Sequence, residues 1–255
     1  MRFATMGSGS KGNATLVDEA DSALLVDCGL SYSRVRSLAR EKNYDLDKLD
    51  GIFVTHEHSD HVSGVKNLSK GLKIPVYATS GTIAASGSRF DDVYELNEIE
   101  LEKDIALGPF EITPIIVPHD AQEPCQFIIT SHCKRLGILT DLGHVTSHVR
   151  KMYETLDAMV IEFNHDLDML RASDYRQVLQ RRISGPYGHL SNDQAEEFLG
   201  GINLQKMSHL VAAHLSEKTN NSSIVLTCLE RVVPGTVNTH VATQADFSPW
   251  FVISA

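Results

Sequence analysis

A histidine or an aspartate closely follows each of five short apolar segments of this sequence. The segments ALLV, GIFV, TPIIV, GILT and LVAA have the length and composition of buried β-strands. The residues that follow them are Asp27, His56, His119, Asp141 and His214. In layered folds of helices and strands, the ends of the strands meet at one edge, where ligands bind. We therefore expect the chain to fold so that these five side chains converge.

Predicted helices alternate with predicted strands along the chain. Residues 31–43 place apolar side chains on one helical face, and Ser191 is followed three residues later by Gln194, the pattern of a capping box. The last two apolar segments, TVNTHVAT and WFVIS, are expected to pair with each other as closing strands. The alternation predicts an α/β layered fold. A chain of 255 residues, 42% of them hydrophobic, is long enough for one large domain.

The segment THEHSDH, at residues 55–61, is dense in ionisable side chains and contains three histidines and two carboxylates. Crowded groups of this kind are costly to bury unless a positive ion compensates them. His56 and His58 are two residues apart and can point to the same side of an extended loop. Asp60 and His61 are expected to begin a helix and turn towards a second point. This spacing suits two ions, and imidazole and carboxylate ligands favour Zn or Mn, with Fe also possible.

Composition limits the classes of function. The net charge of −10 argues against a broad basic face for nucleic acid, but not against a nuclease whose metal ions supply the positive charge. Four scattered cysteines predict reduced thiols, mostly buried, and a cytoplasmic protein. We expect no membrane association, because no stretch reaches the roughly 18 apolar residues of a membrane span. The first residues do not have the apolar segment of a secretory signal.

THEHSDH resembles the signature of the metallo-β-lactamase fold superfamily, and LLVDCG, VPHDAQEP, ILTDLG and AAHLS resemble its other motifs in the same order. The resemblance implies an αββα four-layer sandwich made by a single domain, residues 1–255. It also implies two divalent ions held by seven ligands, with Asp27 supporting the histidine loop from outside. The ligand sets are His56, His58 and His119 for one ion, Asp60, His61 and His214 for the other, and Asp141 as the bridge.

A narrower resemblance is carried by GSGSKGNAT, VTHEHSDHVSGV, EFNHDLDML, GPYGHLSN and AHLSEKTNN. Together, from about residue 6 to residue 221, they are similar to the YycJ/WalJ-type branch of metallo-β-lactamase-fold DNA exonucleases. Unlike the RNase J and cleavage-factor relatives, the sequence has no β-CASP insertion. The resemblance implies 5′-to-3′ degradation of DNA, with RNA as an alternative substrate. The oligomeric state is left open.

The same resemblance implies a mechanism. A hydroxide bridging the two ions would attack phosphorus, and Asp60 would serve catalysis as well as metal binding. In related tRNA-processing nucleases, a strand-end Glu and a Gly-His pair work beside the metals, which points to Glu162 and His189. His189, oriented by Glu162, would protonate the leaving oxygen. The alternative is a purely structural Glu–His hydrogen bond.

Substrate contacts are less strongly indicated by the sequence. The GSGSKGNAT segment could cradle a phosphate through Ser8, Ser10 and Asn13, or it could be a plain turn between strands. His165 is a weaker candidate for a contact at the same rim. The pair Arg181–Arg182 is interpreted as a solvated helix end rather than a nucleic-acid contact.

Two other functions remain open. A thioester or lactone hydrolase of the glyoxalase II type would use the same ions, although the sequence has no separate C-terminal helical domain of that type. A non-catalytic nucleic-acid-binding or regulatory protein could also keep the fold. The intact ligand set argues against that reading, because crowding seven ionisable ligands without metal would be destabilising.

Overall fold

The computed structural model describes residues 1–254, which form two β-sheets of seven strands each with helices packed outside them. The strands are β1 (Arg2–Gly7), β2 (Ala14–Glu19), β3 (Ser22–Val26), β4 (Leu49–Phe53), β5 (Pro75–Thr79), β6 (Glu95–Ile99), β7 (Ile105–Leu107), β8 (Phe110–Ile116), β9 (Cys125–Ser131), β10 (Lys134–Leu139), β11 (Ala158–Glu162), β12 (His209–Ala213), β13 (Asn238–Val241) and β14 (Phe251–Val252). The helices are α1 (Tyr32–Glu41), α2 (Ser59–Val62), α3 (Val65–Leu72), α4 (Ser80–Ser86), α5 (Ser147–Met152), α6 (Leu167–Ala172), α7 (Gln177–Ile183), α8 (Asn192–Gly200) and α9 (Ser222–Val232).

The order of strands separates the chain into two halves. The first sheet runs β14-β1-β2-β3-β4-β5-β6, and the second runs β13-β12-β11-β10-β9-β8-β7. Consecutive strands are neighbours almost throughout, which keeps the connections short. Two pairs of consecutive strands are not neighbours. β6 and β7 lie in different sheets, and β14 belongs to the first sheet although it follows β13 of the second in the chain.

The inner strands of the first sheet, such as β1 and β3, are apolar on both faces because each face is covered. On β1, Phe3 enters the core between the sheets, whereas Ala4 and Met6 face the core beneath the helices. On β3, Leu24 and Leu25 divide in the same way. Successive side chains of a strand point to opposite faces, so continuous apolar runs are expected where both faces are buried.

Three separate apolar cores correspond to the three boundaries of a four-layer sandwich. One lies between the sheets. A second packs the first sheet against α1 and α3 through residues such as Leu38 and Leu68. The third packs the second sheet against α5, α8 and α9 through residues such as Phe198 and Val225. This arrangement confirms the predicted αββα sandwich; that it forms one domain stays a prediction.

Several local predictions can be compared with the structure. The helix predicted at residues 31–43 is α1, and the capping box of Ser191 and Gln194 is present at the start of α8. The predicted pairing of the last two strands is wrong. β13 pairs parallel with β12, and β14 pairs antiparallel with β1 on the other sheet. After β13 the chain crosses to the first sheet, where Phe251 packs against Phe3 in the central core. An alternating pattern of apolar residues cannot specify which strand will be the partner.

The cysteines are free thiols: Cys28, Cys125 and Cys228 are buried, as predicted, and Cys133 is exposed. Among residues 1–254, no helix is both long enough and apolar enough to cross a membrane.

Candidate metal centre

The predicted ligands lie where strands of both sheets end. In the first sheet, β3 and β4 are parallel and lead to Asp27 and His56. In the second sheet, β10, β11 and β12 are parallel, and β8 runs the same way because both β8 and β10 are antiparallel to β9. These strands lead to His119, Asp141 and His214. The convergence expected from the sequence is therefore present.

Three of these residues adopt a left-handed backbone that non-glycine residues rarely take. The φ angles are 60° at Asp27, 52° at Asp141 and 55° at His214. Such a conformation costs on the order of 1–3 kcal/mol per residue and concentrates at functional sites. Asp27 and His214 come directly after a strand and Asp141 two residues after one, so the unusual backbone coincides with the point where their side chains meet the other members of the cluster.

The seven predicted ligands form overlapping clusters. Ligand atoms lie within 4.8 Å of one another in each of three groups: His56, His58 and His119; Asp60, His61 and His214; and His56, His61 and Asp141. Asp141 lies between the first two groups, with Oδ2 3.2 Å from Nε2 of His61 and Oδ1 4.0 Å from Nε2 of His119. The structure thus brings together the two predicted triads and the predicted bridge; their role as ligands stays a prediction.

Four of the histidines are held from outside through one ring nitrogen. The bonds are His56 Nδ1 to Thr55 Oγ1 at 2.9 Å, His61 Nδ1 to Asp27 at 2.7 Å, His119 Nδ1 to the Gly188 carbonyl at 3.0 Å, and His214 Nδ1 to Glu162 at 2.8 Å. Each bond fixes the ring so that Nε2 is left for the interior of the cluster. Outer partners of this kind are typical of metal-binding histidines.

Two buried atoms of the cluster test whether an ion fits. Within residues 1–254, His56 Nε2 and Asp141 Oδ2 are buried and make no well-aligned hydrogen bond, although Oδ2 lies 3.2 Å from Nε2 of His61. A buried polar atom without a partner costs about 1–3 kcal/mol, so such atoms require an explanation. Both atoms are electron-pair donors that face the cluster, and imidazole with carboxylate suits Zn, Mn or Fe. The residues present therefore fit divalent metal ions.

The ionisable groups show how strongly negative the cluster is. Burial would lower the pKa of His214, but Asp141, Asp60 and Glu162 outweigh burial and raise it to about 10. Burial opposes ionisation of Asp141, yet the surrounding histidines hold its pKa well below the usual range. Carboxylates that stabilise positive charge on buried imidazoles will also stabilise a metal cation in the place of those protons.

Glu162 and His189 form the predicted pair, and Glu162 has a second partner that the sequence did not indicate. One carboxylate oxygen, Oε1, accepts hydrogen bonds from Nδ1 of His189 and of His214, each at 2.8 Å. The other, Oε2, accepts from the backbone N–H of Leu190 at 3.0 Å. Burial would raise the pKa of Glu162, but His189 and the hydrogen bonds hold it at about 2. Glu162 therefore orients both a candidate metal ligand and the candidate proton donor.

His189 is the member of this pair that reaches the cleft. Its side chain is 22% exposed and lines a cavity of about 330 Å³ together with Asp60, Asp141 and His214. Burial would lower its pKa, but the charge of Glu162 and the hydrogen bond to it outweigh burial and raise it. The geometry suits a protonated imidazole that faces a bound substrate.

The residues predicted to bind phosphate divide into two groups. Ser8 accepts a hydrogen bond from the backbone N–H of His214 at 2.7 Å, and Asn13 donates to Asp60 at 3.2 Å, so both support the cluster. Ser10 lines the cleft. His165 is fully buried, and the structure does not bring it to the cleft. Burial lowers its pKa to about 4.

The pair Arg181–Arg182 lies at an exposed helix end, as interpreted from the sequence, but Arg182 also reaches the cleft. Arg182 lies in the last turn of α7, lines the cleft beside Tyr175, and donates a hydrogen bond to Asp120, the neighbour of His119. It therefore brings a positive charge to this cleft in a chain of net charge −10. No local pattern in the sequence marks it, because its position depends on a bond to Asp120, 62 residues away in the chain.

A glycine allows the loops of the site to approach each other. A Cβ atom built on Gly29 would lie 1.7 Å from the carbonyl oxygen of Asp60. The backbone N–H of Cys28 also donates to the carbonyl of His61 at 2.8 Å, which joins the loop after β3 to the histidine loop. Only a residue without a Cβ fits at position 29, so Gly29 helps to set the position of Asp60.

Two facing sheets with outer helices and a histidine–aspartate cluster at the strand ends define a metallo-β-lactamase-fold protein. A beta-lactamase superfamily domain matches residues 23–214, and the chain belongs to that superfamily. It is 33% identical to exodeoxyribonuclease WalJ of Streptococcus pneumoniae over 86% of this chain and 83% of that protein. It is 29% identical to exodeoxyribonuclease YycJ of Bacillus anthracis over 91% and 89% of the two chains. Zn(2+)-bound PqqB from Methylobacterium extorquens, 18% identical, superposes with a TM-score of 0.75 over 98% of this chain and 100% of that one.

Proposed function

We propose that this protein is a metal-dependent phosphodiesterase that degrades DNA from an end, in the 5′-to-3′ direction. The observation that carries the proposal is the pair of triads joined by Asp141, beside a His189 that Glu162 orients towards the same cleft. The similarity to two exodeoxyribonucleases over most of the chain supports DNA as the substrate.

Two divalent ions per chain, Zn or Mn, are part of the proposal. One ion would be held by His56, His58 and His119, the other by Asp60, His61 and His214, with Asp141 shared between them. Bound there, the ions would supply activation of the attacking water and positive charge for the phosphate oxygens.

The protein side chains supply the proton and the orientation of the substrate. Nδ1 of His189 is bonded to Glu162, so Nε2 is the nitrogen that can carry a proton into the cleft. That proton goes to the oxygen of the departing nucleotide, which is a poor leaving group as an alkoxide. Arg182 would hold a neighbouring phosphate, exchanging its bond to Asp120 for one to the nucleic-acid backbone.

The test is to incubate metal-loaded protein with 5′-labelled single- and double-stranded DNA, with RNA of the same sequence, and with a thioester. We expect release of products from a DNA end that depends on added divalent metal. Cleavage of RNA in preference to DNA would reassign the substrate. Thioester cleavage without action on nucleic acid would refute the proposal and favour the glyoxalase II-type alternative.

A further inference from the structure

A second depression, here called the Tyr187 groove, lies beside His119 and shares no lining residue with the polar cleft. It has a volume of about 570 Å³ and is lined by His119 and by Leu101, Ile116, Pro118, Pro124 and Tyr187 among others. Ile116 is 50% exposed and Tyr187 is 59% exposed. Large apolar and aromatic side chains that gather in one open groove mark a binding surface. Nothing in the mechanism above uses this groove.

The backbone of Tyr187 is fixed relative to the reacting centre. Its carbonyl accepts a hydrogen bond from the backbone N–H of Asp120 at 2.9 Å, and Asp120 directly follows His119. His189 lies two residues after Tyr187 in the chain. The preceding residue, Pro186, accepts a hydrogen bond from the ring of His144 at 2.8 Å. Because the backbone is held, binding a ligand on the ring costs only the conformational entropy of the side chain and not that of the loop.

The charges around the groove indicate which part of a nucleic acid would enter it. Glu123 and His148 are among its lining residues, and Nε2 of His148 lies 3.1 Å from a carboxylate oxygen of Glu102. These carboxylates disfavour phosphate, whereas Arg182 in the polar cleft favours it. Because the groove shares His119 with the candidate metal centre, its occupant would be attached next to the bound phosphate, and the carboxylates favour an uncharged group there. A nucleobase meets both conditions and can stack on a tyrosine ring.

We propose that the Tyr187 groove is a nucleobase subsite that takes the unpaired base adjoining the scissile phosphate. The proposal rests on the nuclease function proposed above and adds to it a preference for single-stranded ends. A base within a duplex is stacked and paired, and it would have to leave both arrangements to reach the ring.

The first experiment removes the base and the ring separately and together. Cleavage is measured on single-stranded DNA carrying one abasic nucleotide, which is moved stepwise along the strand. For the parent protein, kcat/KM should fall about 5- to 150-fold when the abasic nucleotide adjoins the cleaved bond, the worth of one stacked base. On intact DNA, the kcat/KM of Tyr187→Ala should be lower than that of the parent by a similar factor. Because both changes remove the same contact, the two losses should overlap rather than multiply.

A matched control separates stacking from a general surface effect. Tyr94 is 56% exposed and is not a lining residue of the groove or of the cleft, so Tyr94→Ala should behave as the parent. Tyr187→Phe keeps the ring and should retain most of the activity that Tyr187→Ala loses. The subsite would be overturned if the losses in kcat/KM from the abasic nucleotide and from Tyr187→Ala multiplied. It would also be overturned if Tyr187→Ala cleaved intact DNA with the kcat/KM of the parent. Neither result would affect the proposed nuclease function.

A binding measurement decides the subsite even without cleavage. An oligonucleotide with 2-aminopurine at the tested position and a non-hydrolysable linkage at the scissile position should lose fluorescence when it binds the metal-loaded parent protein, because the base stacks on the ring. Tyr187→Ala should remove that quenching, and Tyr94→Ala should not. Absence of cleavage on every nucleic acid would refute the proposed function, whereas equal fluorescence with parent and Tyr187→Ala would refute the subsite.

Discussion

Glu162→Gln is the perturbation that most directly tests how the candidate site works. The change keeps the size of the side chain but replaces one accepting oxygen with an NH2 group, which only donates. In the parent, Oε1 accepts from His189 and His214, and Oε2 accepts from the backbone N–H of Leu190. Whichever way the new amide turns, its NH2 faces at least one buried N–H. The variant therefore cannot satisfy the same set of donors.

The magnitude follows from these contacts. Each donor left without an acceptor costs about 1–3 kcal/mol, so the variant should be measurably less stable but folded. His189 loses the charge that raises its pKa while its burial, which lowers the pKa, remains. The fraction of protonated His189 at neutral pH therefore falls. The rate on DNA should drop by less than the roughly 10²–10⁴-fold expected for His189→Ala, because the imidazole is still present.

The sign of the pH dependence provides a second signature. A raised pKa keeps His189 protonated to higher pH, so activity that needs this proton is present at low pH and is lost as pH rises through the pKa. In Glu162→Gln that loss should begin at lower pH. The alkaline limb of the kcat/KM profile on DNA should shift accordingly.

The assay compares DNA with bis-p-nitrophenyl phosphate. Nitrophenolate leaves without a proton, so both variants should lose far less rate on this substrate than on DNA. Glu196 is a suitable control position, because it pairs with Arg231 on the surface between α8 and α9. Glu196→Gln should leave both rates unchanged. Equal losses of His189→Ala on the two substrates, or loss of metal from that variant, would refute the assignment of His189 as proton donor.

Three further predictions concern the ions and the cleft. Elemental analysis of protein purified without chelator should approach two divalent ions per chain, and Asp141→Ala should lose one or both; a variant that retains two tightly would disprove the bridge. Arg182→Ala should raise KM on DNA and reduce the salt dependence of DNA binding by about one unit of slope, measured by fluorescence anisotropy; an unchanged slope would exclude a phosphate contact. Gly29→Ala should weaken metal binding in a calorimetric titration, because the new Cβ displaces the Asp60 backbone; parental affinity would show that the loop relaxes freely.

The sequence predicted the parts of the site that depend on local chemistry. Ligand residues directly after apolar strands could be recognised because strand ends of an α/β sandwich converge, and the structure brings His56, Asp141 and His214 together accordingly. The alternation of helices and strands predicted a layered α/β fold, and the four-layer sandwich was implied by the resemblance of the motifs to the metallo-β-lactamase fold superfamily. By contrast, the partner of β14 depended on a contact between Phe251 and Phe3, which are far apart in the chain.

Residues that act through tertiary placement could not be identified in the same way. Arg182 has no ligand-type neighbours, and its α7 helix buries no side chain of its own, so neither pattern nor periodicity marks it. Its position is set by Asp120, which is held near the cleft because it follows His119. Tyr187 is placed by the same short segment, through its backbone bond to Asp120. The loop that carries His119 thus also positions Arg182 in the cleft and Tyr187 in the Tyr187 groove. Substrate selectivity would then depend on residues outside the ligand motifs, so two proteins with the same seven ligands can differ in the substrates they accept.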